Sequence, residues 1–383
     1  MELQAIYKKF TDATENIPGI VKEKKASGQK VMGVIPYYAP EELIHAAGVF
    51  PIGCWGGQTS ISKANTYLPP FACPLMQSVM EFAMNGVYDN LDAFLASAPC
   101  DTLKCITQDL ITEVPYIKMI TCMYPQNNKL EGAVLYLINE LRKIKRQLEE
   151  LTGRKISETA ISESIKIYNK NREAMMDFTE IAGKNPGIIS ARMRHTVIKA
   201  RQFMDKAEHT ELMLELNEIL RNMPKAEVPG QKIVLAGIMA EPMELLDIFD
   251  ELRFYIVGDE LAQESRQFRN PVPNGLDQIE RLARQWQNVD NCGLVFDPAK
   301  KRTTYIANMA KELGADGVIF CQMKFCDPDE YDYPWVKKAL DKVEIPILNL
   351  EIDINLRSME QARTRLQAFS EQIMGLGVQA RRA

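Results

Sequence analysis

At 383 residues, with 46% hydrophobic and 25% charged side chains, the chain has a globular composition and is too long for one ordinary core; the usual ~100–200 residues per domain suggest two or three. A net charge of −5 and an isoelectric point near 5.6 argue against a nucleic-acid-binding or anionic-membrane surface. No window approaches the ~20 apolar residues of a membrane span, and Met1-Glu2-Leu3-Gln4 lacks the basic start of a signal peptide, so the expectation is a cytoplasmic protein.

Residues 2–28 read as helical, broken near Pro18-Gly19. A short strand over Lys30–Pro36, a helix over Pro40–Gly48 and extended chain over Val49–Trp55 give a β-α-β rhythm. After the turn-rich stretch Gly56–Pro70, Pro74 opens a helix over Leu75–Asn85, which puts Cys73 at a helix N-terminus. Strand Leu91–Pro99 then runs into Cys100, with Asp101 or Thr102 as the expected cap of the next helix, and a fourth strand covers Tyr116–Met123.

From 127 to about 223 the apolar spacing is helical and the faces are charged. Lys225–Gly230 reads as a linker, and Lys232–Ile238 opens a second α/β unit. In that unit the pattern predicts a helix from near Pro242, a strand over Arg253–Val257 and a loop through Asp259. Helices near 276–289 and 302–313, a strand over Gly317–Cys321, a helix over Tyr333–Lys342 and a strand over Pro346–Ile352 follow. A last helix spans Ser358–Met374, and Gly375–Ala383 reads as a frayed tail. The expected division is 1–126, a helical bridge over 127–228, and 229–383.

Several chemistries find no support. There is no Gly-x-Gly-x-x-Gly after any strand, no P-loop and no Gly-x-Ser-x-Gly, and His45, His195 and His209 lack zinc-enzyme spacing, which leaves them structural.

The eight cysteines remain. Without an export signal they are unlikely disulfides, because the cytosol keeps thiols reduced. Cys73, Cys100 and Cys326 each follow a strand or turn and precede a helix start, where amide N–H groups and the helix dipole favour a thiolate. Cys54, Cys105, Cys122, Cys292 and Cys321 lie within apolar strands or helices and read as buried structural thiols. Three thiolates at strand ends can hold an iron–sulfur cluster with one iron free for another ligand. Zinc would want a fourth ligand and a tight Cys-x-x-Cys pair, which is absent. Spacing alone leaves cluster, zinc and plain core thiols open.

The segments Gly33–Gly48, Phe71-Ala-Cys73, Pro99-Cys-Asp-Thr-Leu103, Asp259–Arg266 and Lys324–Glu330 resemble the small (β) subunit of the oxygen-sensitive 2-hydroxyacyl-CoA dehydratases. The likeness covers nearly the whole chain and extends more loosely to benzoyl-CoA reductase subunits and double-cubane cluster proteins. The resemblance implies two open parallel-sheet, flavodoxin-like α/β domains joined by a helical segment, with a [4Fe-4S] cluster in the interdomain cleft on Cys73, Cys100 and Cys326. It implies a larger α subunit that binds the acyl-CoA, and an ATP-hydrolysing [4Fe-4S] activator that injects an electron. On that reading the chain is an electron relay, inactive alone, in a reaction that takes (R)-2-hydroxyacyl-CoA to (E)-2-enoyl-CoA through a ketyl radical. No acid or base is assigned: Glu41, Glu42, Asp101 and Asp327 read as helix caps. The alternatives are an ATP-driven reductase subunit and a non-catalytic scaffold with core thiols.

Overall fold

The computed structural model describes residues 2–35, 38–355 and 358–380. The expected strand end at Pro36 and the last three residues lie outside them. The strands are β1 (Val31–Ile35), β2 (Phe50–Gly53), β3 (Ala93–Ser97), β4 (Lys118–Cys122), β5 (Gln231–Gly237), β6 (Phe254–Leu261), β7 (Gly317–Met323) and β8 (Ile347–Ile352). They form two four-stranded sheets of the same design, β2-β1-β3-β4 and β6-β5-β7-β8. Every pairing is parallel, with Met32 opposite Pro51 and Ala93 in the first sheet and Leu235 opposite Asp259 and Ile319 in the second. The central strands β1 and β3 are buried at every residue, as expected of parallel strands covered by helices on both faces.

The helices are α1 (Glu2–Glu15), α2 (Ile17–Ala26), α3 (Glu41–Ala46), α4 (Pro74–Met84), α5 (Asp101–Glu113), α6 (Glu131–Thr152), α7 (Glu158–Lys184), α8 (Ala191–Ala200), α9 (Lys206–Asn222), α10 (Met243–Glu251), α11 (Gln278–Gln287), α12 (Lys301–Glu312), α13 (Asp327–Asp341) and α14 (Glu360–Ala380). Helices α6 to α9 occupy the stretch expected to be helical. No helix among the described residues is long and apolar enough to cross a membrane.

The differences from expectation have local causes. The first helix breaks at Asn16, one residue before α2, because Pro18 is tolerated in the first turn of a new helix and not in the interior of an old one. Strand β6 runs on through Asp259 to Leu261, since the buried carboxylates of Asp259 and Glu260 find arginine partners and need no solvent. Helix α13 starts at Asp327 and carries Pro334 inside it. Helix α14 continues to Ala380, past the expected frayed point.

One apolar cluster draws residues from both sheets, including Val34 and Leu95 from the first and Leu235 and Ile319 from the second. Polar contacts tie the two halves as well. The Asn128 side-chain amide, fully buried, donates to the carbonyls of Trp286 at 2.7 Å and Val289 at 2.8 Å. The Trp286 indole N–H donates to the Pro125 carbonyl, and its rings meet Tyr38 and Tyr124 edge-on at 4.9 and 4.8 Å.

The three histidines sit in these helices, away from the cysteine cleft described below. His45 bonds Ser164 at 2.9 Å, His195 bonds Glu264 at 2.8 Å and Glu241 at 3.0 Å, and His209 bonds Asn171 at 2.9 Å. Burial alone would depress His195, yet its two carboxylate partners outweigh that and hold its pKa above the ordinary value. His209 has no such partner, and burial with Lys206 and Arg201 nearby pushes it down to about 3. The two act in opposite pH windows. Above the unfolded value of about 6.5 the native state binds the extra proton at His195, so stability falls as pH rises through its raised pKa. Below about 6.5 the unfolded state binds the extra proton at the His209 position, so stability falls by about 1.4 kcal/mol per pH unit. Urea titrations across pH are therefore expected to show His209→Asn flattening the acid side of the stability curve, to which His45, also pushed down by burial, contributes in the same direction; an unchanged acid slope refutes the assignment.

Candidate functional site

Both sheets reverse strand order between their first and third strands, β1 with β3 and β5 with β7. In open α/β sheets ligands bind beyond the carboxyl ends of the strands at such points. Here the four strand ends meet in one cleft of about 390 Å3: Ile35 ends β1, Cys100 follows β3, Ile238 follows β5, and Met323 ends β7. Gly237, the last residue of β5, takes φ +116, and a Cβ there would stand 2.2 Å from the Cys321 carbonyl oxygen, so only glycine lets β5 and β7 approach this closely.

The cleft brings Cys73, Cys100 and Cys326 together. Each is the N-cap residue of a helix, of α4, α5 and α13 respectively. The cap of α5 is thus Cys100 itself, in place of the expected Asp101 or Thr102. Pro74 and Pro328 sit in the first turns of α4 and α13, where the missing N–H costs nothing. Two of the thiols come from the first sheet's half of the chain and the third from the second's.

Burial sets the state of the bare thiols. It pushes Cys73 up to about 12, with the amides of Met76 and Leu75 acting the other way. Burial likewise raises Cys100 against the amides of Leu103 and Thr102, and raises Cys326 strongly, with the Asp329 carboxylate adding to it. None is a ready nucleophile, because the nucleophile is the thiolate. Held as thiolates, they require a positive group in the cleft. Among the described residues no three His, Cys, Asp or Glu side chains converge tightly enough for one metal ion. A cluster of several irons spreads its thiolate ligands further apart than a lone ion does, so three separate helix caps fit the larger group better than zinc.

The remaining cysteines are elsewhere. Cys54, Cys122, Cys292 and Cys321 are buried, Cys292 in a loop, and none lines the cleft. Cys105, expected to be buried, is exposed on α5, because it falls on the solvent face of that helix, off the spacing of Leu103, Ile106 and Leu110.

Of the four acids read as caps, Asp101 and Asp327 line the cleft in the first turns of α5 and α13. Glu41 and Glu42 do not cap α3 through their side chains. They are buried, Glu42 paired with Arg172 and Glu41 with Lys206 at 3.1 Å. Their partners lie in α7 and α9, about 130 and 165 residues away in the chain by the usual counting of contacts, a pairing that local sequence does not announce.

Sequence reasoning also missed the support beneath Cys326. Arg302, 2% exposed, bonds Glu260 at 3.0 Å, Asp329 at 2.7 Å and Asp332 at 3.2 Å. Arg266 joins through Glu260 at 2.7 Å, and Arg194 pairs with both Asp259 and Glu264. The segment 259–266 is therefore a buried ionic layer under the cleft, which explains so many charges in one strand end. Lys300, Gln126 and Tyr331 complete the cleft wall; no local motif marks them.

The chain matches known proteins over nearly its whole length. The family model "2-hydroxyglutaryl-CoA dehydratase, D-component" matches residues 36–373. The chain is 43% identical over 374 residues to the lactoyl-CoA dehydratase subunit beta of Anaerotignum propionicum, covering 97% of this chain and 99% of the relative. It is 42% identical over 363 residues to the (R)-phenyllactyl-CoA dehydratase beta subunit of Clostridium sporogenes, covering 94% and 97%. It is 35% identical over 380 residues to the (R)-2-hydroxyglutaryl-CoA dehydratase subunit beta of Acidaminococcus fermentans, covering 97% and 100%. On the extent of these matches, the chain belongs to the 2-hydroxyglutaryl-CoA dehydratase D-component family.

Proposed function

We propose that the chain is the β subunit of a cytoplasmic, oxygen-sensitive 2-hydroxyacyl-CoA dehydratase and carries one [4Fe-4S] cluster on Cys73, Cys100 and Cys326. The observation that supports this most is the meeting of three helix-capping thiols, from both halves of the chain, in one cleft. The relatives' names as beta subunits support a larger α partner. In this reading residues 1–126 and 229–383 are the two domains and 127–228 the bridge.

The chemistry of the substrate class explains the need. The β-proton of a 2-hydroxyacyl thioester is not acidified by the carbonyl, and the hydroxyl on the α-carbon is badly placed for an enolate to expel. General acid–base catalysis, worth ~10²–10⁴-fold, does not close that gap. One electron on the carbonyl gives a ketyl that can lose the hydroxyl, after which the β-proton is acidic and the electron is recovered. A bound cluster supplies such a low-potential electron.

This chain's own residues then hold and shield. The amides of Met76 and Leu75 beside Cys73, of Leu103 and Thr102 beside Cys100, and of Asp329 beside Cys326 favour the thiolate forms against burial. Ile35, Trp55, Leu294 and Met323 keep water from the inner wall. Acyl-CoA binding and the acid–base step belong to the α partner, and the electron enters from an ATP-dependent [4Fe-4S] activator.

Anaerobic purification of the chain with its α partner tests this. Iron and sulfide near four each per chain, and dehydration of a 2-hydroxyacyl-CoA only when α, activator and ATP are all present, are the expected results. Turnover by the isolated chain would overturn the relay reading, and reduction without loss of water would overturn the dehydratase reading.

A further inference from the structure

A second cavity, larger at about 840 Å3, shares Trp55 as a wall with the cysteine cleft. It opens between α2, the end of β2 and the turn after α4. Its walls are apolar, among them Ile17, Val21, Ile52, Phe82, Leu91 and Phe203. Helix α2 contributes Ile17 and Val21 to the wall, Val21 buried and Ile17 partly buried and packed against the core at its edge.

The charged side chains that line this space have one sign. Lys22, Lys25 and Lys199 line it, and no aspartate or glutamate does among the described residues. Lys25 is engaged with the Asn90 carbonyl at 2.9 Å and Asp92 at 3.4 Å, and Lys199 with Glu241 at 2.7 Å. Lys22 makes no ion pair among the described residues. The volume lies within the ~300–1,000 Å3 of small-molecule sites, which are mostly apolar with a few polar anchors.

We propose that this cavity binds an amphiphilic anion, its apolar chain or ring against Ile17, Phe82 and Phe203 and its carboxylate or phosphate at Lys22. Apolar walls of this extent gain by excluding water, and the unpaired ammonium selects the anionic head. The site is separate from the three cysteines and does not depend on the dehydratase reading. Its shared wall, Trp55, makes it optically readable.

The test uses the full chain, alone and with its α partner, titrated with octanoate, octyl phosphate and octan-1-ol by calorimetry and tryptophan fluorescence. Both anions are expected to saturate one site per chain, and the alcohol to bind about tenfold more weakly or worse. The anion that binds more tightly identifies the head group the site is built for. Lys22→Glu is expected to cost about tenfold in anion affinity, and Ile17→Asp, at a partly exposed position, to abolish binding while circular dichroism stays native. Equal binding of the alcohol, anion affinity unchanged by Lys22→Glu and Ile17→Asp, or loss of binding once the α partner is present would each overturn the proposal, the last by making the cavity a subunit contact.

Discussion

Cys326→Ser, with Cys73 and Cys100 intact, is expected to lose most of the chain's iron and sulfide on anaerobic purification, and the Cys73→Ser and Cys100→Ser chains the same. The reason is that the hydroxyl is a far poorer ligand than a thiolate and the cleft offers no other cysteine. Changes to groups merely supporting a metal ligand cost ~10–100-fold in affinity or activity; loss of a ligand itself is expected to exceed that. Cys105→Ser and Cys292→Ser are the controls, since one thiol is exposed on α5 and the other buried outside the cleft. Full iron content in any of the three cleft variants, or loss in the two controls, refutes the ligand assignment.

Arg302→Leu is expected to destabilise the chain by about 3–5 kcal/mol in chemical denaturation. The guanidinium is 2% exposed and is the shared partner of Glu260, Asp329 and Asp332. Removing it leaves Asp329 without its ion-pair partner in a buried layer, while Glu260 keeps Arg266 at 2.7 Å and Arg269 at 3.6 Å and Asp332 keeps Lys300 at 2.8 Å. Arg302→Lys restores the charge without the fork that reaches three acids and is expected to recover part of the loss. Because Asp329 and Asp332 lie in α13 just after Cys326, the same substitution is expected to lower cluster retention before it unfolds the chain. A loss below about 1 kcal/mol would mean that the layer behaves as a surface pair.

The two predictions act at different depths of one site. Cys326 caps α13 at the cleft, and Arg302 anchors the next turn from below. The left-handed Phe325, φ +59, turns the chain between β7 and α13, so the cysteine is positioned by a strand end, a sharp turn and a buried ion pair together.

Much of the architecture was legible in the chain itself. The strands were readable because they are short apolar runs, most of them bounded by Gly, Pro or Asp, and the cysteines stood out because each of three abuts Pro, Asp-Thr or Asp-Pro. These are local signals, carried by neighbours within a few residues. The length of β6 was not legible, because whether Asp259 and Glu260 can stay in a buried strand depends on Arg194, Arg266 and Arg302, the outer two far from them in the chain. The same holds for Glu41 and Glu42, which look like first-turn acids and prove to be buried partners of Lys206 and Arg172. Sequence by itself determined which segments become strands and helices and which thiols sit at helix starts, since backbone preference and apolar period are short-range. Only the tertiary structure decided that the ends of two separate sheets share one cleft and that Cys73, Cys100 and Cys326 face it together, because that convergence is set by long-range packing of one apolar core across both sheets.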